Sequence, residues 1–395
     1  MVSAPSNRFA AIMRALTGRH HNGALKSDRI RLVVNALHAK SGGGVTYLRN
    51  LLPLLADDPR FEVHVFLHRD QMELFHPIDE RVNLHLFSFP KGLVRLMLWE
   101  QLVIPMMVRI MAADVVFSPA NFGSLFVRDQ VILLRNALAV AKTETRLSKR
   151  FYWAALGVIT FLSLLRCRRA LAVSDYAARS LSLGMRSWFQ SKVRIVHHGV
   201  NRRFAPNPQV RRQDFLLAVS DIYVQKNLHN LFRAMRAVCD RHPNIRLKIA
   251  GQKIDSWYYD AGIQLIQQLG IAENVEFLGR LPAEKLLSLY QNCAALVFPS
   301  TAETFGMPLV EAMACGTPII SSNSTAMPEI VGDAAVLFDP LNVESMASAI
   351  NRVLGDADLR ADLSRRALER ASSFSWQKTA TATGDILAEA ASRHR

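Results

Sequence analysis

Pro299-Ser300-Thr301-Ala302-Glu303-Thr304-Phe305-Gly306-Met307-Pro308-Leu309-Val310-Glu311-Ala312-Met313-Ala314-Cys315-Gly316-Thr317-Pro318 is the stretch from which the rest of this 395-residue chain can be read. It follows residues 294–298, a short continuous apolar run of the kind that forms a strand buried on both faces. Pro308 suits the first turn of a helix, Gly316 suits its stop, and Pro318 lies just beyond. The segment therefore predicts strand, loop, helix. Glu303 falls in the loop, and Glu311, eight positions later, falls one turn into the helix. The amides of Phe305, Gly306 and Met307 then stand at the positive end of that helix, where a diphosphate is favoured. The Glu311 carboxylate can accept two hydrogen bonds from a vicinal diol such as a ribose. Glu303 can hold the hydroxyls of a sugar beyond the phosphates. Either carboxylate alone would pass for a solvated or capping group; the spacing, the glycine and the helix start together point to a site.

Outward from this block, short apolar β-branched runs alternate with helical patterns, the mark of parallel sheets. In the first half, strands are predicted at 31–36, 61–67, 82–87, 114–117, 131–134, 170–174 and 193–196. The second half starts again at 215–219 and continues at 246–250, 275–278, 294–298, 318–321 and 335–338. Between them, Leu228, Leu231, Phe232, Met235, Val238 and Cys239 recur at helical steps on one stripe. The expected fold class is α/β, with two Rossmann-like domains facing each other across a cleft. The expected organisation is a basic extension at 1–28, a first domain at 29–207, a second at 208–375 and a terminal helix at 376–395 that packs back on the first domain. The polar stretch 201–214, with Pro206, Pro208 and four arginines, reads as the linker.

Composition narrows the partners. Forty-eight Lys and Arg against 33 Asp and Glu leave a formal +15, while 50% hydrophobic and 21% charged residues are ordinary globular values. Such a field favours anionic partners. No zinc-finger spacing, basic-region heptad or aromatic RNA-binding motif is present, so a phosphorylated ligand and a lipid surface lead over nucleic acid. Cys167, Cys239, Cys293 and Cys315 are scattered without metal spacing, as expected of buried thiols in a reducing compartment. The N-terminal stretch is polar and basic, unlike a secretory signal. The longest apolar run, 151–165, is short of the ~20 residues a bilayer crossing needs. It is flanked by Lys149, Arg150, Arg166, Arg168 and Arg169. It fits a buried helix, or a face lying on an anionic membrane surface, or both.

Ligands of open α/β sheets bind beyond the carboxyl ends of the strands. Two further loops qualify. Ser41-Gly42-Gly43-Gly44 follows the first strand and precedes a helical pattern, so its backbone can approach a ligand. It is neither the Gly-x-Gly-x-x-Gly fingerprint nor a P-loop, which sets aside a dinucleotide-dependent dehydrogenase. Gln225-Lys226-Asn227 opens the amphipathic helix of the second half, and a lysine there can neutralise a departing diphosphate.

The order of Gly-rich loop, Lys226-Asn227, Phe277-Leu278-Gly279 and Glu303-x7-Glu311 with Phe305-Gly306-Met307-Pro308 resembles the retaining family 4 glycosyltransferases of the two-Rossmann GT-B fold. The likeness runs from about residue 30 to 376. It implies metal-independent transfer from a nucleotide diphosphate sugar with retention, with no cofactor and no metal site. It implies that Glu311 binds the ribose, Lys226 the diphosphate, and the amides of Phe305, Gly306 and Met307 phosphate or sugar oxygens. It places Glu303 at the donor sugar, Gly43 and Gly44 near the phosphates, and Gly279, Arg280 and Leu281 beside the base. Retention without an obvious nucleophile implies front-face attack, in which the leaving phosphate takes the acceptor's proton; a covalent Glu303 intermediate is the less favoured variant.

Two positions depart from the family pattern. The family often has an arginine shortly before the lysine, whereas this chain reads Val219-Ser220-Asp221-Ile222-Tyr223-Val224-Gln225, leaving Arg280 to help. Many members have a histidine after the strand at 131–134, and here Arg135-Asn136 stands in its place, so its contact with the sugar falls to Asn136 or Arg135. The expected partners are a nucleotide sugar, with GDP-mannose a possible donor, a glycan or lipid-linked acceptor, and an anionic membrane surface at the cytoplasmic face. A bacterial envelope or exopolysaccharide pathway follows from the resemblance. Competing readings are a sugar-nucleotide 2-epimerase of the same fold and a non-catalytic sugar-nucleotide binding subunit; a phosphorylase would need a much longer chain.

Overall fold

The computed structural model describes residues 28–40, 42–90, 92–135, 147–182 and 185–391. Two parallel sheets organise them. The first is built from β1 (Ile30–Asn35), β2 (Phe61–His68), β3 (Asn83–Phe87), β4 (Val115–Ser118), β5 (Gln130–Leu134), β6 (Arg169–Ala172) and β7 (Val193–Ile195), in the order β3-β2-β1-β4-β5-β6-β7. The second is built from β8 (Gln213–Val219), β9 (Arg246–Ala250), β10 (Val275–Gly279), β11 (Cys293–Phe298), β12 (Ile319–Ser322) and β13 (Ala335–Phe338), in the order β10-β9-β8-β11-β12-β13. Each predicted strand is present, with ends displaced by one or two residues. Central strands such as β5 and β11 are buried along their whole length, because helices cover both faces.

Both sheets reverse strand order at one point, between β1 and β4 and between β8 and β11. A crevice opens there at the carboxyl ends, and this is where doubly wound sheets bind ligands. The loops at these switch points carry Gly42–Gly44, Lys226 and Glu303. The topology therefore brings together three segments that are far apart in sequence.

The helix Trp376–Ala391 packs on the helix Gly42–Asp57 and on β4, β5 and β6 of the first sheet. Ion pairs Arg169–Glu389 and Arg60–Asp385 hold its outer side. Trp376, Phe374, Phe305 and Leu309 share one buried cluster with Tyr47 and Phe117, so apolar packing is continuous between the domains. The seam at 201–214 differs from a loose polar linker. Phe204 is buried against Tyr290, and the Arg212 guanidinium donates to the carbonyls of Tyr290, Gln291, Cys293, Cys315 and Gly316. Arginine density in sequence cannot distinguish a solvated charge from one that collects carbonyls at the ends of buried elements. All four cysteines are buried and unpaired.

Candidate active site

The cleft between the sheets has a lobe of about 450 Å³ lined by Gly43, Tyr47, Arg135 and His198 from the first domain. Lys226, Arg280, Leu281, Glu303, Phe305, Gly306 and Met307 line it from the second. An adjoining lobe of about 810 Å³ shares Arg280, Leu281, Met307 and Trp376 with the first and adds Glu311.

The helix Met307–Ala314 owes its start to Gly306, whose φ of +88° lies in the left-handed region that glycine tolerates, and to Pro308 in its first turn. The Phe305 ring is buried against His197, His198 and Phe374. The first amides of a helix lack intrahelical acceptors and suit an anion.

Lys226 and Glu303 form an ion pair of 2.5 Å at the floor, with side chains 11% and 17% exposed. Their loops are stitched together: Thr301 donates its amide to Gln225 at 2.9 Å, and the Asn227 side-chain amide donates to the carbonyls of Pro299 and Pro340. Burial opposes the Lys226 charge, but the Glu303 carboxylate and the Tyr223 hydroxyl outweigh it and push its pKa up to about 12. Lys226 is thus a fixed ammonium at neutral pH.

Glu311 is held differently. The Tyr290 hydroxyl donates to it at 2.9 Å, and among the described residues no cation pairs with it. Burial pushes its pKa up to about 7 despite that hydrogen bond. A carboxylate with one donor and open lone pairs facing a cavity is suited to accept further hydroxyl hydrogen bonds.

The remaining predicted positions divide. Gly44 lies over the Arg135 guanidinium so closely that a Cβ there would sit 2.5 Å from Nη2. Gly279, at the end of β10, does not line either lobe; its carbonyl accepts the amide of Gly251, which lines the first. Arg280 is exposed at both lobes. Asn136 lies outside the described residues. Sequence reasoning missed Tyr47, His198, Tyr223, Tyr290 and Trp376. Only Tyr223, three positions before Lys226, had a local signal; the others reach the cleft from separate elements.

The domains also touch behind the cleft. Ser174 donates to the Thr304 carbonyl at 2.6 Å, and the Thr304 hydroxyl donates to the Arg135 carbonyl. The Glu329 carboxylate accepts the amides of Asp175 and Tyr176 and pairs with His197 at 2.9 Å.

Two Rossmann-like domains with a ligand cleft between their switch points define a GT-B arrangement. Residues 201–370 match the family model of glycosyl transferases group 1. The chain is 33% identical over 177 residues to the O-antigen chain mannosyltransferase B of Escherichia coli, covering 44% of this chain and 46% of that protein. It therefore spans about half the length of that curated relative. Among solved structures, WaaG, a glycosyltransferase involved in lipopolysaccharide biosynthesis, superposes with a TM-score of 0.70 at 15% identity, over 91% of this chain and 99% of that one. Anabaena HepE, solved in complex with UDP-glucose, gives a TM-score of 0.72 at 18% identity, over 91% and 100%.

Proposed function

We propose that the protein is a retaining, metal-independent glycosyltransferase that moves a sugar from a nucleotide diphosphate sugar to a glycan or lipid-linked acceptor in bacterial envelope polysaccharide synthesis. The observation that carries this reading is the Lys226–Glu303 pair beside the Gly306 helix start, with Glu311 buried at the adjoining lobe and paired with no cation among the described residues. In this reading the ribose hydroxyls donate to Glu311. The helix amides and the Lys226 ammonium stabilise the negative charge that grows on the diphosphate as the glycosidic bond breaks. Glu303, oriented by Lys226, positions the sugar hydroxyls. The acceptor attacks from the face the diphosphate leaves, and a phosphate oxygen takes its proton. The mannosyltransferase relative supports a mannose donor, and HepE shows that the fold accommodates a UDP-sugar, so both nucleotides belong in the test.

The test is a binding and hydrolysis screen of GDP-, UDP-, ADP- and dTDP-sugars, with Glu311→Ala alongside. One donor is expected to bind and hydrolyse slowly, releasing the α- or β-anomer that it carried. An absence of binding to all four classes would refute the nucleotide-sugar site, binding without turnover would move a non-catalytic role to the front, and a C2-inverted sugar would move an epimerase there.

The work is proposed to take place against the cytoplasmic face of an anionic membrane. Among the described residues no helix is long and apolar enough to cross a bilayer. The helix Leu147–Arg166 buries Thr160, Ser163 and Leu164 but leaves Val158 60%, Leu162 40% and Leu165 41% exposed. Phe126 (66% exposed) adjoins it, since Arg166 donates to the Leu125 carbonyl and Gln101 accepts the Leu125 amide. Trp188 (71%) lies nearby, through contact of Phe161 with Phe189. The exposed Arg128 and Arg166 give this apolar face a basic rim. Vesicles containing phosphatidylglycerol are expected to co-sediment the protein, and a Phe126→Ser/Trp188→Ser double variant to bind them about tenfold less tightly. Equal binding to neutral phosphatidylcholine vesicles would argue against it.

A further inference from the structure

Arg135 stands at the carboxyl end of β5, inside the first lobe. Its amide donates to the Asn121 side chain at 2.9 Å and its Nε to the Pro119 carbonyl at 3.0 Å, which fixes the base of the guanidinium. Gly44 roofs the far end, where any side chain would collide with the guanidinium. Among the described residues no carboxylate pairs with Arg135. Burial depresses its pKa, against a smaller opposing effect of Tyr47. His198, 8% exposed, lines the same lobe with its Nδ1 unbonded. Burial, and then the Arg135 charge, lower the His198 pKa to about 3, so the imidazole is neutral and available as a hydrogen-bonding neighbour.

The rest of the cleft does not need this charge for the diphosphate. Lys226, the helix start at Gly306 and the exposed Arg280 already serve that end. Arg135 reaches the lobe from the first domain, and its carbonyl accepts the hydroxyl of Thr304, the residue after Glu303. A guanidinium held at its base and lining the lobe can pair with an oxyanion from the side that Gly44 does not cover.

We propose that Arg135, with His198 beside it, is a subsite for an anionic oxygen group distinct from the donor's diphosphate: a carboxylate or phosphate carried by the donor sugar or by the acceptor. This rests on reading the cleft as a nucleotide-sugar site. It makes the chain selective for a charged substrate where a neutral hexose would leave the guanidinium unpaired.

The test is calorimetry on the full chain and on Arg135→Gln and Arg135→Lys. The probes are UDP and GDP, UDP-glucose against UDP-glucuronate, GDP-mannose against GDP-mannuronate, and inorganic phosphate in the presence of saturating nucleoside diphosphate. Affinity for the bare nucleoside diphosphate is expected to stay within about twofold in Arg135→Gln. Either the preference for the uronate donor or the binding of inorganic phosphate is expected to fall by at least ~30-fold and to recover in part in Arg135→Lys. Loss of uronate preference locates the anion on the donor, and loss of phosphate binding locates it on the acceptor. The proposal is overturned if Arg135→Gln weakens the bare nucleoside diphosphate to the same degree, or if the wild type shows neither preference nor phosphate binding. A wild type that binds no nucleotide refutes the donor-site reading instead, and the phosphate arm still reports on Arg135. Should Arg135→Gln fail to fold, Gly44→Ala displaces the guanidinium while keeping its charge.

Discussion

Lys226→Ala is expected to lower kcat by about 10²–10³-fold, the scale of losing one preorganised group that faces developing charge. The donor's Kd is expected to change far less, because the helix amides and Glu311 still hold the ground state. Initial rates with the donor found in the screen, beside calorimetric Kd values, separate the two effects. The variant also leaves Glu303, 17% exposed, without the one ion-pair partner it has among the described residues. A stability loss must therefore be separated from a catalytic one. Glu303→Gln and the Lys226→Ala/Glu303→Gln double variant complete a cycle: if the pair acts as a unit, the double variant is scarcely slower than either single one. A kcat within a few-fold of wild type in Lys226→Ala would remove this residue from the chemistry.

The second large effect concerns Glu311 and pH. Its folded pKa of about 7 lies above the ordinary 4.5, with burial as the cause. Only the ionised form accepts two hydrogen bonds from a ribose diol. Nucleotide affinity is therefore expected to weaken about tenfold per unit as pH falls below 7, and to level off above it. Stability moves in the opposite direction. Between the unfolded and folded pKa values the native state holds more protons than the unfolded one, so the stabilisation present below about 4.5 is lost as pH rises through about 7. At pH 8, Glu311→Gln is thus expected to melt higher than wild type while binding nucleotide at least ~30-fold more weakly, since two charge-assisted hydrogen bonds are lost. Its affinity should also be flat with pH. A wild-type affinity that is unchanged between pH 5.5 and 8 would show that Glu311 does not contact the nucleotide.

The placement of Lys226 and Glu311 shows what local sequence carries. Each lies at a loop-to-helix junction whose start and stop residues are written nearby: Asn227 ahead of the helix Leu228–Arg241, and Gly306 and Pro308 at the head of the helix Met307–Ala314. Arg212 shows the opposite. In sequence it is one of four arginines in a polar stretch, yet folding gives it five carbonyl acceptors from two separate segments.

Sequence by itself determined the two parallel α/β halves, the strands, and the loop-to-helix junctions that bear Gly43, Lys226, Glu303 and Glu311. Hydrophobic period and helix-end chemistry act over a few residues and need no partner to be read. Tertiary structure alone decided that Lys226 pairs with Glu303, that Glu311 has Tyr290 and no cation beside it among the described residues, and that Arg135 lies in the lobe under Gly44. The charge a side chain keeps in the folded protein depends on which distant groups and how much water surround it. Those are settled by the packing of one domain against the other, not by neighbours along the chain.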